Sequence, residues 1–213
     1  SIAAAKLSKN IENVYISTDS RKFSEIAEFY GAKALYLRPK NLSEDNSLDI
    51  DFFKYHIDFC NNNNIILANY LVNLRPTTPL RETDIINDAI YKFINDKKST
   101  SLRSAHKIDL TPYKMFKKEG KYMKAFLEKD NIKEFHSAPR QLFEDTFVGN
   151  GYIDVINTNL IIKKDVLYGD SIFLYETDVA PDVDKVTDLR ESEICLKSGE
   201  YSDLTNYIKG CHK

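Results

Sequence analysis

The sequence predicts an α/β fold of three layers, in which a mostly parallel, Rossmann-like sheet lies between helices on both faces. Two observations carry this prediction. Apolar runs of strand length alternate with segments whose apolar residues recur at helical spacing. The run Ile65–Ala68 contains no polar residue, which is typical of a strand buried on both faces. Such alternation favours parallel strands joined by helical crossovers.

Strands and helices follow each other along the chain. An N-terminal segment, 1–9, reads as the end of a helix, and Asp19 and Ser20 can cap a helix that Gly31 ends. The other predicted helices cover about 49–60, 86–95 and 186–196. Strands are predicted at 13–18, 34–37, 65–68, 99–105, 152–156 and 171–175, with a turn at 149–151 before the fifth of them.

Residues 106–138 form a predicted insertion with a hairpin turn at 118–120. The segment is too thin to hold its own core, so its apolar side chains need a partner surface. We expect that surface to be a second copy of the chain, which makes the protein a homodimer.

Length and composition fit one domain covering 1–213. Hydrophobic residues make up 42% of the 213 residues, and the net charge of −2 provides no basic surface for nucleic acid. No apolar stretch approaches the length needed to span a bilayer. The three cysteines, Cys60, Cys195 and Cys211, are too sparse for a metal site and suit reduced thiols. We therefore expect a cytoplasmic protein without nucleic-acid or membrane partners.

The segment Arg75–Arg81 crosses from a predicted strand to a predicted helix. It contains two prolines, two threonines and two arginines. Ligands of open α/β sheets bind at the carboxyl ends of the strands, and paired guanidinium groups there favour an anionic ligand. The alternative interpretation is a proline-stiffened loop without a ligand.

A second candidate is the pair Asp182 and Asp184. Two aspartates two residues apart in an extended segment point to the same side, so both can reach one cation. Carboxylates suit Mg²⁺, which also keeps waters and binds substrate phosphate. The alternative is an acidic loop in which Thr187 or Asp188 caps the last helix.

Five segments resemble motifs of the acylneuraminate (CMP-sialic acid) cytidylyltransferases, in the order of that family. Residues 74–81 are similar to its L-Q-P-T-S-P-L-R, and residues 182–189 to its D-I-D-x-x-x-D-L. The segment 140–151 resembles R-Q-x-L-P-x-x-Y/F-x-x-N-G. Residues 14–20 and 38–47 resemble V-S-T-D-S and R-P-x-x-L-x-x-D-x-S.

The resemblance implies a GT-A-like nucleotidyltransferase. Its members transfer CMP from CTP to an α-keto acid sugar of nine or eight carbons, such as sialic, legionaminic or pseudaminic acid, and release pyrophosphate. Arg75 stands where the family usually has Gln, on the side of the sugar. That departure leaves the identity of the sugar open and suggests a further acidic contact.

Roles for individual residues follow from the resemblance. Asp182 and Asp184 are expected to hold Mg²⁺ or Mn²⁺ and, with Arg140, to be the catalytic residues. The expected sugar-binding residues are Arg75, Thr77, Lys114, Arg140, Gln141 and Asn150, of which Arg140 and Lys114 would pair with the sugar carboxylate. The expected nucleotide-binding residues are Arg38, Ser47 and Asp19. As alternatives, Lys114 is a solvated lysine and Asp19 a plain helix cap.

Members of this family begin with a strand and an A-R-G-G-S-K loop that holds the triphosphate. No such motif precedes Ser1, so we expect an enzyme whose first strand and loop are missing from this sequence. The alternative is a non-catalytic relative that acts as a sugar-binding or assembly module.

Overall fold

The chain folds as a four-stranded sheet between two layers of helices, with a separate hairpin. This computed structural model describes residues 1–130 and 132–212; Asn131, in the predicted insertion, and Lys213 lie outside them. The strands are β1 (Tyr70–Asn73), β2 (Ser101–Ile108), β3 (Phe116–Glu119), β4 (Tyr122–Ala125), β5 (Thr146–Asn157) and β6 (Ile172–Glu176). The helices are α1 (Ile2–Leu7), α2 (Arg21–Phe29), α3 (Asp49–Asn62), α4 (Thr83–Asn95), α5 (Thr158–Lys164), α6 (Val186–Ser198) and α7 (Ser202–Cys211).

The strand order in the sheet is β1-β5-β2-β6. β2 and β6 pair in parallel, whereas β5 runs antiparallel to both of its neighbours. Three of the four strands therefore point the same way, and the predicted α/β class with a mostly parallel sheet is confirmed. The reversed strand at the centre was not predicted, because the residue pattern of a buried strand is the same in either direction.

Helices cover both faces of the sheet. On one face, α4 buries Ile86, Ile90 and Phe93 against Leu102 of β2 and Val155 of β5, and α1 and α7 join the same cluster. Three of these side chains lie on α4 at the spacing that places them on one helix face.

On the opposite face, α3 and α5 pack over Ile156 of β5. The buried side chains there are Phe53 and Ile57 of α3 and Ile161 of α5. Because Val155 and Ile156 point to opposite faces, adjacent residues of β5 serve both cores.

Several predicted elements are confirmed. α2 is capped by Ser20, whose Oγ accepts a hydrogen bond from the Phe23 amide, and Gly31 follows it at a φ of 91°. α3 and α6 lie where they were predicted, and α5 and α7 are additional helices. The predicted hairpin is β3–β4, although β2 extends to Ile108 and so takes the first residues of the predicted insertion.

Three predicted strands are wrong in detail. Residues 65–68 form no ladder, Ile66 is 96% exposed, and the strand begins only at Tyr70. Residues 13–18 and 34–37 form no ladder of their own. Tyr15 makes one parallel bridge to Lys33, the residue before the second predicted strand. Strand formation requires a partner at the right distance, and an apolar run does not specify one.

The predicted turn at 149–151 is instead a bulge inside the continuous strand β5. Gly149 pairs with Ala105, and Asp154 pairs with Arg103, so four residues of β5 lie opposite the single residue Ser104. The Ser104 Oγ accepts a hydrogen bond from the Ile153 amide at 2.9 Å, which satisfies one donor that the ladder leaves free. We call residues 150–153 the β5 bulge; such bulges redirect the side chains around them.

None of the helices among the described residues is long and apolar enough to cross a membrane. All three cysteines are free, and Cys60 is buried.

Candidate functional site

The buried guanidinium of Arg81 joins the crossover Arg75–Arg81 to the β5 bulge. Arg81 has no exposed surface. It donates hydrogen bonds to the carbonyl oxygens of Tyr152 at 2.6 Å, Arg75 at 2.8 Å and Gly151 at 3.0 Å, and also to that of Thr78. Two segments that are about 70 residues apart in the chain are thereby held together.

Arg81 is therefore not a ligand for an anion, although the sequence suggested two guanidinium groups for that purpose. No carboxylate of the described residues forms an ion pair with it. Burial lowers the pKa of Arg81 to about 10, so the side chain remains charged near neutral pH. Carbonyl dipoles and the ring of Tyr152, 5.7 Å from the guanidinium carbon, solvate this charge in place of water.

Three segments meet around this arginine. The Thr78 Oγ1 donates to the Asn150 carbonyl at 3.3 Å, and the Asn150 side-chain amide donates to the Thr177 Oγ1 at 2.7 Å. The Val183 amide donates to the Thr77 carbonyl at 2.6 Å. The crossover, the β5 bulge and the segment that contains Asp182 and Asp184 thus form one polar site. The sequence-predicted residues Thr77, Asn150, Asp182 and Asp184 all belong to it.

Asp182 and Asp184 flank Val183, whose amide ties their segment to the crossover. Both aspartates are exposed, and within the described residues neither carboxylate forms a hydrogen bond or an ion pair. No third His, Cys, Asp or Glu of that part of the chain joins them as a metal cluster. Two free carboxylates nevertheless fit Mg²⁺, which needs only one or two protein carboxylates when phosphates and waters complete its octahedron.

The alternative role that the sequence assigned to Asp188 is also present. Its carboxylate accepts hydrogen bonds from the amides of Asp184 at 3.0 Å and Lys185 at 2.8 Å, and these bonds lower its pKa. Asp188 therefore caps α6, and the two aspartates before it remain available.

Arg75 is held at the edge of the site by a carboxylate that the sequence did not point to. Its guanidinium pairs with Asp49 in the first turn of α3. A Cβ at position 151 would lie 2.9 Å from the Arg75 Cδ, and Gly151 has a φ of 66°. Glycine is therefore required at this point of the bulge for two reasons, close approach and backbone conformation.

A cavity of about 1,100 Å³ runs along the free edge of β1, and both Arg75 and Arg38 line it. Arg38 donates to the Ser17 carbonyl at 2.7 Å, and its guanidinium carbon lies 5.1 Å from the centre of the Phe52 ring. Its Nε is buried without a hydrogen-bond partner among the described residues. Arg38, an arginine with an unused donor, therefore lines this cavity together with Arg75.

The other two predicted nucleotide-binding residues do not line that cavity. The Ser47 hydroxyl donates to the Asn41 carbonyl at 3.3 Å and accepts from the Glu44 amide at 3.0 Å, so it stabilises its own loop. Asp19 is exposed, and Ser20, not Asp19, caps α2.

Arg140, Gln141 and Lys114 lie apart from the polar site. Arg140 pairs with the exposed Asp109, and the Lys114 Nζ lies 5.2 Å from the centre of the Phe143 ring. Gln141 follows Arg140 in a short, exposed 3₁₀ helix. Asp109 follows the end of β2, where Ile108 pairs with Thr146, and at roughly 3.3 Å per residue that is about 13 Å along β5 from Asn150.

Sequence reasoning missed a buried ion pair beside the bulge. Asp154 of β5 is 1% exposed; it accepts from the Arg103 Nε at 3.1 Å and from the Tyr168 hydroxyl at 3.2 Å. Burial raises the pKa of Asp154, while Arg103 and the other donors lower it. Burial also raises the pKa of Tyr168 to about 12, so its hydroxyl stays a donor. A lone aspartate in the apolar run 152–156 was the available signal.

Comparisons with known proteins all find similarity to cytidylyltransferases. The family model described as cytidylyltransferase matches residues 1–141. A pseudaminic acid cytidylyltransferase of Campylobacter jejuni (serotype O:2) is 27% identical over 207 residues, covering 92% of this chain and 83% of that protein. An N-acylneuraminate cytidylyltransferase of Escherichia coli O18:K1:H7 is 35% identical over 91 residues, covering 42% of this chain and 20% of that protein.

The fold has a counterpart among solved structures. The structure of a CMP:2-keto-3-deoxy-manno-octonic acid synthetase complexed with CTP superposes with a TM-score of 0.62 at 13% identity, covering 92% of this chain and 85% of that one. At this identity the likeness concerns the fold alone.

Replacing Arg81 by methionine should lower the free energy of unfolding by about 3 kcal/mol or more. The change removes one donor from each of four carbonyl groups. The Arg75 carbonyl keeps the Thr78 amide and the Ser1 hydroxyl as donors, and each carbonyl that is left unsatisfied costs about 1–3 kcal/mol. Urea denaturation followed by circular dichroism measures the effect, with the exposed Arg190→Met as the matched control. A loss below about 1 kcal/mol would show that water replaces the guanidinium and that Arg81 is not the main tie.

Proposed function

We propose that this chain, which belongs to the cytidylyltransferase family, transfers CMP from CTP to a nine-carbon α-keto acid sugar. The bond between the anomeric oxygen of the sugar and the α-phosphorus forms, the bond to the leaving pyrophosphate breaks, and the hydroxyl proton passes to water. Relatives with named activities use pseudaminic, neuraminic and legionaminic acids, and the proposed substrate is an acid of this class.

One observation carries the proposal: the hydrogen bond between Val183 and Thr77, which brings the aspartate pair to the crossover. It ties the backbone between the two free carboxylates to the crossover, which in turn contacts the β5 bulge through Thr78 and Asn150. Phosphoryl transfer depends on positioning of the reactants and on stabilisation of charge. In this site Asn150 would serve the positioning, and the two carboxylates, with a bound cation, would serve the charge stabilisation.

Asp182 and Asp184 would hold a divalent cation, which neutralises phosphate charge when it is bound. The side chain of Asn150 is held by its hydrogen bond to Thr177, and Asn150 would be the residue of the β5 bulge that contacts the sugar. Arg38 and Arg75 open onto the cavity of about 1,100 Å³, and Arg38, which has an unused donor, would contact the nucleotide. Thr77, Ser47 and Asp19 remain predicted contacts, although Ser47 and Asp19 lie outside the lining of that cavity.

Arg140, Gln141 and Lys114 are proposed to bind the carboxylate end of the sugar. All three are exposed and accessible. Arg140 is paired with Asp109, so the sugar carboxylate would replace that aspartate as the partner of the guanidinium. This assignment requires the 3₁₀ helix that begins at Arg140 to approach the bulge when substrate binds.

The full-length protein should release pyrophosphate when it is given CTP, Mg²⁺ and one nonulosonic acid, and should need all three. A coupled phosphate assay over a panel of sialic, legionaminic, pseudaminic and eight-carbon keto acids measures this. If no sugar of the panel gives pyrophosphate release although CTP still binds, the proposed sugar class is wrong. If pyrophosphate release and CTP binding are both absent, the proposed transferase activity is wrong and the non-catalytic module is favoured.

Replacing both Asp182 and Asp184 by asparagine should reduce pyrophosphate release by about 100-fold or more, since amides do not offset the charge of a bound cation. The fold should be unaffected, because neither side chain is buried. Circular dichroism checks the fold, and the surface pair Asp58→Asn with Asp170→Asn is the charge-matched control. Near-normal turnover in the double variant would contradict the metal assignment.

We also propose that the hairpin β3–β4 mediates a homodimer. Three of its large apolar side chains are mostly exposed: Tyr122 (68%), Met123 (71%) and Phe126 (63%). The hairpin forms a two-stranded sheet separate from the main one, and such a hairpin is only marginally stable by itself. A second copy of the chain would cover these side chains.

Met123→Glu combined with Phe126→Glu should convert the dimer to a monomer, because two carboxylates would be buried at the interface. Sedimentation velocity of the variant and of wild-type protein measures the mass. The control is Ile194→Glu on α6, a side chain that is 68% exposed. A wild-type monomer, or a dimer that persists in the double variant, would exclude this interface.

A further inference from the structure

Arg103 of β2 is fixed on two sides but keeps unused hydrogen-bond donors. Its Nε donates to Asp154, and its guanidinium carbon lies 4.3 Å from the centre of the Tyr168 ring. The two terminal amino groups carry four N–H bonds, and none of these has an acceptor among the described residues. The side chain is 36% exposed, so these donors are accessible.

The register of the sheet places Arg103 directly beside the β5 bulge. Asp154 lies opposite Arg103 on one side and opposite Asn73 of β1 on the other. A Cβ at Gly149 would lie 3.7 Å from the Arg103 Nη2, just as one at Gly151 would touch Arg75. The two arginines therefore flank the bulge residue Asn150, Arg103 from β2 and Arg75 from the crossover that follows β1.

The charges of these two arginines are already offset. Arg75 pairs with Asp49, and Arg103 pairs with Asp154. The net charge of the four residues is zero, and the buried Asp154 carboxylate, unlike the exposed Asp109 beside Arg140, is not accessible to exchange with an acidic ligand. An uncharged oxygen can still accept a hydrogen bond from the free edge of a guanidinium, and such charge-assisted bonds are stronger than neutral ones.

We propose that Arg103 is a specificity-determining residue that donates from its terminal amino groups to an uncharged oxygen of the sugar. The oxygen is an acylamino carbonyl or a hydroxyl, at the end of the sugar away from its carboxylate. Asp154 and Tyr168 are positioning residues, which fix the guanidinium plane. The inference rests on the proposed CMP transfer. It assigns an uncharged oxygen to this end of the sugar, whereas the sequence suggested a further acidic contact at Arg75.

The first test compares wild-type protein with the double variant Arg103→Met, Asp154→Asn. Removing both members of the pair avoids leaving an unpaired buried carboxylate, and methionine retains contact with Tyr168. We expect kcat/KM for the sugar to fall roughly 10- to 100-fold, the size of a lost hydrogen bond to a charged group, with KM for CTP unchanged. The matched control is Lys197→Met, at the far end of α6.

Two sugars distinguish the source of the oxygen. An acylamino sugar and its analogue with hydroxyl groups in place of the acylamino groups are compared in both proteins. If the variant discriminates less against the analogue than wild type does, the carbonyl is the acceptor; an equal loss for both sugars identifies a hydroxyl. Arg103→Lys should not rescue either sugar, because one ammonium cannot pair with Asp154 and also present two amino groups.

Tyr168→Phe provides a readout that a purely structural role would not change. The variant keeps the ring beside the guanidinium but removes the hydroxyl that donates to Asp154. KM for the sugar should therefore rise by a smaller factor than in the double variant, while kcat and the melting temperature stay close to wild type. Equal losses for CTP and sugar in the double variant, or an unchanged sugar KM, would overturn the inference.

Failure of the inference can be told apart from failure of the proposed function. If wild-type protein releases no pyrophosphate with any sugar, the function is wrong. Calorimetric titration of the same sugars into wild type and the double variant then tests Arg103 without turnover. Equal affinities, or no binding by either protein, would reject its role.

Discussion

The site depends on one buried cation that has no carboxylate partner among residues 1–130 and 132–212. The guanidinium of Arg81 is satisfied by four carbonyl groups, and these belong to both the crossover and the β5 bulge. The geometry of five donors in one plane cannot be met by lysine or by water without leaving carbonyl groups unpaired. Arg81 sets the distance between the crossover and the β5 bulge. The hydrogen bond from Thr78 to the Asn150 carbonyl depends on that distance.

The reversed strand β5 gives the site its second constraint. Because β5 runs against its neighbours, its bulge lies beside the end of β1 and opposite Ser104 in the middle of β2, next to the crossover. The bulge exposes Asn150 and leaves room for two ion pairs, Arg75 with Asp49 and Arg103 with Asp154. In each pair the carboxylate orients the arginine and offsets its charge. Such an arginine can donate hydrogen bonds to uncharged oxygens, as the proposed sugar contact requires.

Local sequence signals predicted local structure well. The cap at Ser20, the end of α2 before Gly31 and the buried face of α3 all follow from short-range chemistry, and each is confirmed. The apolar run from Ile65 failed as a strand because burial depends on a partner strand, and the structure pairs the chain only from Tyr70 onward. The resemblance to a known family located the aspartate pair and the crossover, and the family is confirmed.

By itself the sequence determined most of the helices, the α/β class, the family and the short motifs that form the polar site, because these follow from periodicity, capping and motif residues that lie close together in the chain. Only the tertiary structure decided that Arg81 is structural and that Asp49 and Asp154 offset the charges of Arg75 and Arg103. The physical reason is that ion pairing and desolvation depend on distances between residues 26 to 71 positions apart, which no local pattern specifies.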